Sequence, residues 1–176
     1  MTFSLLYLDK PSGCFAGATA TGNLCVGGWV LRGYPHVGLT ASQGAEPSVL
    51  WGEDALIQMQ KGLSAPTAVE HVTRIDPRRE WRQMAAIDCE GKVSAFSGQQ
   101  NGSIIDEIIE DGLILTGNIL SNETVLASMY DTFIGSSASI GDRLIAALRA
   151  GEKAGGDSRG LMSAALLILP PDSPPL

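Results

Sequence analysis

Long hydrophobic runs are missing from this chain. No apolar stretch reaches the roughly eighteen residues of a membrane span, so no membrane partner is expected. The opening MTFSLLYLDK has no basic n-region and too short an apolar part for a secretory signal, which makes a soluble, cytoplasmic protein the expectation. Basic charge is scarce as well: 12 Lys and Arg stand against 19 Asp and Glu, a net charge of −7. The one basic block, DPRRE at 76–80, is flanked by acids. Nucleic acid is therefore excluded as a partner for want of an electrostatic footprint. Only two histidines are present, His36 and His71, and neither joins a ligand spacing. The three cysteines, Cys14, Cys25 and Cys89, fit no zinc or redox spacing, and their odd number argues against a disulfide framework. They read as small buried apolar residues. A phosphate loop of the GxxxxGK[ST] kind is absent. No metal and no organic cofactor is expected.

What is present is enough to build a core. Hydrophobic residues make up 44% of the 176 residues and charged residues 18%, a globular balance. Residues 1–169 read as one domain, and the proline-rich 170–176 as a flexible tail. TFSLLYLD, CFAGATAT, NLCVGGWVL and HVGLTASQ read as strands divided by turn signals. Their many small residues leave room for another layer or a ligand against the sheet. Helical spacing follows from Pro47 to Lys61 and again after Ser64, ending at Asp76-Pro77. WRQMAAID and KVSAF form a hairpin around CEG, and GLILTGNIL adds a further strand. The segment QQNGSIIDEIIEDG is open between a strand pair and a short helix. Two helices come next, one after Ser121 or Asn122 and one capped by Ser139 with Asp142. LMSAALLIL closes the chain as a continuous apolar strand, expected to be central and buried. Strands, two helices, strands, two helices and a strand make an α+β class. Two sheets with two helix pairs to cover them predict a four-layer αββα sandwich.

Several segments together carry a resemblance: MTFS opening a strand, Asp76-Pro77 followed by Arg82-Gln83, TGNIL before a helix, and RLIAALRAGEKAGGDSRGLMSAALLI at the end. In these the chain resembles the bacterial family known as domain of unknown function 1028 (DUF1028), over all but the proline tail. The resemblance implies an N-terminal nucleophile (Ntn) hydrolase-like fold. It implies no established activity, although some members carry a peptidoglycan-binding label. The chain departs from the family pattern at 97–107, where a Trp-Ala-Gly stretch is lacking, at Met162 in place of Gln, and at TGN in place of SKF.

Such a fold makes a sharp chemical demand. The first residue must be Thr, Ser or Cys with a free α-amine, which takes the proton as the side chain attacks a carbonyl. An α-amine titrates near 7.7–8.0, within reach of neutral pH. Thr2 meets the demand if Met1 is removed, and is otherwise a strand threonine. Asn118, after Gly117, is the candidate oxyanion donor, or a turn cap. Thr21, Ser42, Gln43, Asp157, Arg159 and Ser163 are the candidate ligand contacts. Asp157 and Arg159 sit in the GGDSRG knot, which is either a bend or the rim of a site. The two functional readings are an amide-bond (C–N) hydrolase and a non-catalytic module binding a small polar molecule, a peptidoglycan fragment or a protein. A homodimer is expected from Trp29, Trp51 and Tyr34 near turns.

Overall fold

The structure, a computed structural model, describes residues 2–157 and 159–175; Met1 and Ser158, on which the sequence reading touched, lie outside them. Strands β1 (Thr2–Asp9) and β2 (Cys14–Thr21) form the N-terminal hairpin, in register from Thr2 opposite Thr21 to Asp9 opposite Cys14. The helix α1 (Val26–Trp29) is one turn long and leads into β3 (Leu31–Tyr34) and β4 (Gly38–Gly44). The helices α2 (Val49–Gln60) and α3 (Ala65–Arg74) precede the hairpin of β5 (Arg82–Asp88) and β6 (Val93–Ser97). A second hairpin, β7 (Asp106–Glu110) and β8 (Leu113–Asn118), resolves the ambiguous acidic segment as a strand. The helices α4 (Thr124–Ile134) and α5 (Ile140–Lys153) and the strand β9 (Ser163–Leu169) complete the chain.

All pairings are antiparallel, in a five-stranded sheet ordered β7-β8-β1-β2-β9 and a four-stranded sheet ordered β3-β4-β5-β6. Strand period two explains how the core divides. Phe3 and Leu5 of β1, with Ala16, Ala18 and Ala20 of β2, pack against Leu126, Met129, Phe133, Leu144 and Ala147 of α4 and α5. The alternate residues Leu6, Leu8 and Phe15 meet Leu39, Ala41, Ala85 and Ile87 of the other sheet. The reverse face of that sheet, Met84 and Ala86, is covered by Trp51, Leu56, Val69 and Val72 of α2 and α3. The chain is thus a mixed α/β domain with two sheets, each flanked by helices.

Three sequence expectations are corrected. NLCVGGWVL is not one strand. Cys25 turns the chain at φ 60°, Val26–Trp29 coil once, and only then does β3 begin. Gly27 and Gly28 have little strand propensity, and a Cβ on Gly27 would come within 2.9 Å of Ala165 Cβ, so the turn docks directly on β9. Strand β9 is not central but the edge of its sheet, and its side chains are mostly half-buried. Its apolar run reflects cover on both faces: Leu166 and Ile168 face the α4/α5 side, Ala165, Leu167 and Leu169 the other sheet. The cysteines are free but not buried, with Cys14 half-buried and Cys25 and Cys89 exposed. Residues 170–175 hold no helix or strand.

Helix α5 starts as its sequence signals. Ser139 Oγ accepts the backbone N–H of Asp142 at 3.3 Å and meets the Asp142 carboxylate at 2.6 Å. Replacing this cap by alanine costs about 1 kcal/mol. Ser139→Ala is expected to lower Tm by about 2–4 °C in thermal unfolding, and an unchanged melt would show that the cap contributes nothing.

Candidate functional site

The apolar space between the sheets gives way, at one end, to hydroxyls and amides. Thr2 and Ser4 lie on one face of β1, Thr19 and Thr21 on the same face of β2, and Thr116 and Asn118 on that of β8. All are buried. Across the gap stand Gln43 of β4 and Gln83 of β5, cross-strand neighbours and both fully buried. Buried amides are tolerable only when bonded, and these are. Gln83 Nε2 donates to Ser97 Oγ at 2.9 Å and to Gly117 O at 3.0 Å. Gln83 Oε1 accepts from Gln43 Nε2 at 2.7 Å and from Asn118 Nδ2 at 3.0 Å. Gln43 Nε2 also reaches Thr2 O and Thr116 O, each at 3.3 Å, while Ser4 Oγ donates to Gln43 Oε1 at 2.5 Å.

This polar layer ends at a cleft of about 600 Å³ whose lining includes Thr2, Thr21 and Gln43. The Thr2 hydroxyl donates to Thr21 Oγ1 at 3.1 Å. Of the sequence candidates, these three come together at the cleft; the other five are turned to other work. Ser42 precedes Gln43 and so points to the opposite face, where its hydroxyl donates to Ser48 O at 2.6 Å beside α2. Asn118 stands opposite Thr2 in the ladder, but its amide is given to Gln83 and its Oδ1 is buried without a hydrogen-bond partner. It is not among the described residues that line the cleft. Ser163 Oγ donates to Asn23 O at 2.6 Å and accepts Val26 N–H at 3.1 Å, tying down the segment that enters α1.

The GGDSRG knot is more than a surface bend. Asp157 Oδ2 accepts Gly22 N–H at 2.6 Å, one residue beyond the cleft-lining Thr21, and also meets Arg159 Nη2 at 3.0 Å. Asp157 is 5% exposed and bridges Leu120 through its backbone. A Cβ on Gly22 would lie 2.5 Å from Asp157 Oδ2, so only glycine lets the carboxylate approach this closely. The described residues of the knot therefore support the cleft wall from behind without lining it.

What the sequence reading missed lies mainly on the wall. Leu24, Val26, Trp29, Val30 and Met162 all line the cleft. The first four were hidden by reading NLCVGGWVL as one strand, while Met162 was marked only as a departure from the family pattern. Gln83 and Thr116 were legible in principle: each is a polar residue at a position whose period-two neighbours, Ala85 and Ile87 or Ile114, face the core. The aromatic residues that motivated a dimer divide. Trp51 is buried and donates to Asp76 at 2.8 Å, Tyr34 bonds Glu53, and only Trp29 is left half exposed, at the cleft. Among the described residues, no group of three or more His, Cys, Asp or Glu gathers to hold a metal, and no helix is long and apolar enough to cross a membrane.

Burial pushes the Asp157 carboxyl up, but hydrogen bonds from the Arg159 side chain and from the N–H groups of Arg159 and Gly22 outweigh it. The carboxyl is held below the usual carboxylate range. A depressed folded pKa stabilises above the unfolded value, about 3.9, and that stability is lost as pH falls through the folded value. Asp157→Asn is expected to be less stable than the parent at pH 7 by about 2 kcal/mol. In denaturant titrations the gap should close as the pH drops below about 4. A gap that persists at pH 2 would assign the loss to packing.

No curated protein matches the chain. The structure is similar to the crystal structure of protein SPO2555 from Silicibacter pomeroyi, a DUF1028 protein, with a TM-score of 0.94 and 46% sequence identity. The likeness covers 99% of this chain and 76% of that one. The family model described as "Family of unknown function (DUF1028)" matches residues 2–176. By that match and that identity, the chain belongs to the DUF1028 family.

Proposed function

We propose that the chain is an amide-bond hydrolase of the N-terminal nucleophile type, on an αββα sandwich, with Thr2 as its nucleophile once Met1 is removed. The observation that carries this reading is the position of Thr2: at the start of a central strand, with its hydroxyl against Thr21 Oγ1 and on the wall of the cleft. Removal of Met1 converts the Thr2 peptide nitrogen into an amine attached to the same residue as the hydroxyl. That amine accepts the hydroxyl proton as Oγ1 attacks the substrate carbonyl. The proton then passes to the leaving amine, the C–N bond breaks, and an ester on Thr2 remains. Water, activated by the same amine, hydrolyses that ester. The carbonyl of Thr2 is held by Gln43 Nε2, which steadies the backbone carrying the nucleophile. With Asn118 committed to Gln83, backbone N–H groups of the cleft wall take the part of oxyanion donor.

A non-catalytic binding module is the second reading. It is favoured by one observation: Gln43 Nε2 is given to Gln83 Oε1 and to backbone carbonyls, and Asn118 Nδ2 is bonded to Gln83 Oε1 and does not line the cleft.

Intact mass of the purified chain separates the two. The expected result is loss of Met1, followed by a single β-lactone adduct on the peptide beginning with Thr2. The rate of labelling should rise with pH through about 8, as the amine loses its proton. Thr2→Ala should take no adduct. Retained Met1 removes the hydrolase mechanism and leaves the binding module.

A further inference from the structure

We infer that the cleft takes an amide bearing an apolar chain or ring, and not a cation or a peptidoglycan fragment. The inference rests on Thr2 marking the functional cleft, as above, but not on hydrolysis. Its first support is what the walls are made of. Leu24, Val26, Trp29, Val30, Pro47 and Met162 line the cleft, and among the described residues no ionisable side chain does. A cation or a sugar moved from water into such walls would lose its hydration, and the α-amine freed at residue 2, charged below about pH 8, would repel the cation. Thr2 Oγ1, whose proton goes to Thr21, is an acceptor on the cleft wall that an amide N–H can match.

The second support is exposure. Leu24 is 66% exposed, Met162 61% and Trp29 51%, and all three border this one cleft. Scattered exposed apolar residues need no explanation, but a set gathered around a concavity marks a binding site. Burying them is what an apolar ligand would do. A volume of about 600 Å³ lies within the usual ligand range. At about 30 Å³ for each non-hydrogen atom, it accommodates roughly twenty of them.

The third support is that the wall is held in place before anything binds. Ser163 Oγ clamps both Asn23 O and Val26 N–H, on either side of Leu24. Gly27 lets the α1 turn sit directly against Ala165 of β9, and Cys25 holds the left-handed bend at φ 60° between the lining residues Leu24 and Val26. A wall fixed in this way lowers the ordering cost of binding.

Isothermal titration of the Thr2→Ala protein with primary amides from butanamide to decanamide tests the inference. This variant cannot form an ester, so its binding is independent of whether Thr2 is a nucleophile, and the β-lactone experiment is independent of chain length. Affinity is expected to tighten about fourfold for each added methylene until the cleft is full. Octylamine should bind at least about tenfold more weakly than octanamide. Trp29→Ala and Met162→Gln, both at exposed positions, should weaken octanamide about tenfold with unchanged circular dichroism. A series flat with chain length, or muramyl dipeptide binding more tightly than octanamide, overturns the assignment.

Discussion

The paired amides of Gln43 and Gln83 are the constraint on which the cleft depends. Their orientation is not free. Gln83 spends both Nε2 hydrogens on Ser97 Oγ and Gly117 O, so its Oε1 must face Gln43 and Asn118. Gln43 in turn must present Nε2 to Gln83 and Oε1 to Ser4. Flipping either amide would set oxygen against oxygen in a space closed to water, at about 1–3 kcal/mol for each unmet group. These bonds cross from one sheet to the other and end on backbone carbonyls of Thr2, Thr116 and Gly117. They set the sheet spacing by hydrogen-bond length rather than by apolar side-chain volume. Farther along the same strands Leu6, Leu39, Ile87 and Ile114 fill the gap instead. The change from apolar to polar filling is what brings Thr2 and Gln43 to the edge of a cleft with their backbones held.

Of the three described non-glycine residues at positive φ, two lie at the same end and the third, His36, in the β3–β4 turn. Ile119, at φ 52°, follows Asn118 directly, and Cys25, at φ 60°, stands in the cleft wall. A β-branched residue in the left-handed region is held there only by its surroundings. For Ile119 these are visible. Its N–H is bound by Asn101 O, and Gly102 packs so near that a Cβ would lie 2.8 Å from Ile119 Cγ1. Asn101 is fully buried and takes Ala45 N–H at 2.8 Å, while its own amide reaches Arg82 O and Gly98 O. One residue thus links the ends of β4 and β5, through its side chain, with the end of β8, through its backbone carbonyl; these are the strands that carry Gln43, Gln83 and Asn118.

Most of the element order was legible because it follows periodicity that the tertiary structure does not override. The β5–β6 hairpin, the Ser139 cap and the two helix pairs were each marked by local residues. Failures came where local pattern had two physical meanings. The run LMSAALLIL is apolar at consecutive positions because both of its faces are covered, and central strands share that signature with a covered edge. NLCVGGWVL has the composition of a strand, but two glycines and a clamp from Ser163, 137 residues from Val26, make it a turn of helix. No local window contains that clamp. At the site, Thr2, Thr21 and Gln43 were reachable from period-two reasoning, and the same reasoning could have separated Ser42 from Gln43. Adjacent strand residues face opposite ways, so the two could not both border one cleft. The partners of Asn118 were out of reach, because they lie on a strand of the other sheet.

Asp157 shows how architecture and site become coupled without direct contact. Its carboxylate is buried, and a buried carboxylate must be fully bonded to be tolerable. Arg159 supplies charge, and Gly22 supplies an N–H at the point where β2 ends. That bond fixes where the chain leaves the sheet after Thr21, and so where Asn23 and Leu24 begin the cleft wall. The other side of the same wall is fixed by Ser163 at the start of β9, immediately after Met162. The chain between Asp157 and Ser163 therefore anchors the wall at two points, one through a charge and one through a hydroxyl, with Met162 on the cleft next to the second. A change at Asp157 would reach the cleft by moving Gly22 and with it Leu24, not by removing a ligand contact. The glycines of the knot serve that end: Gly155 and Gly156 adopt φ 127° and 48° to bring Asp157 back from the end of α5 toward β2.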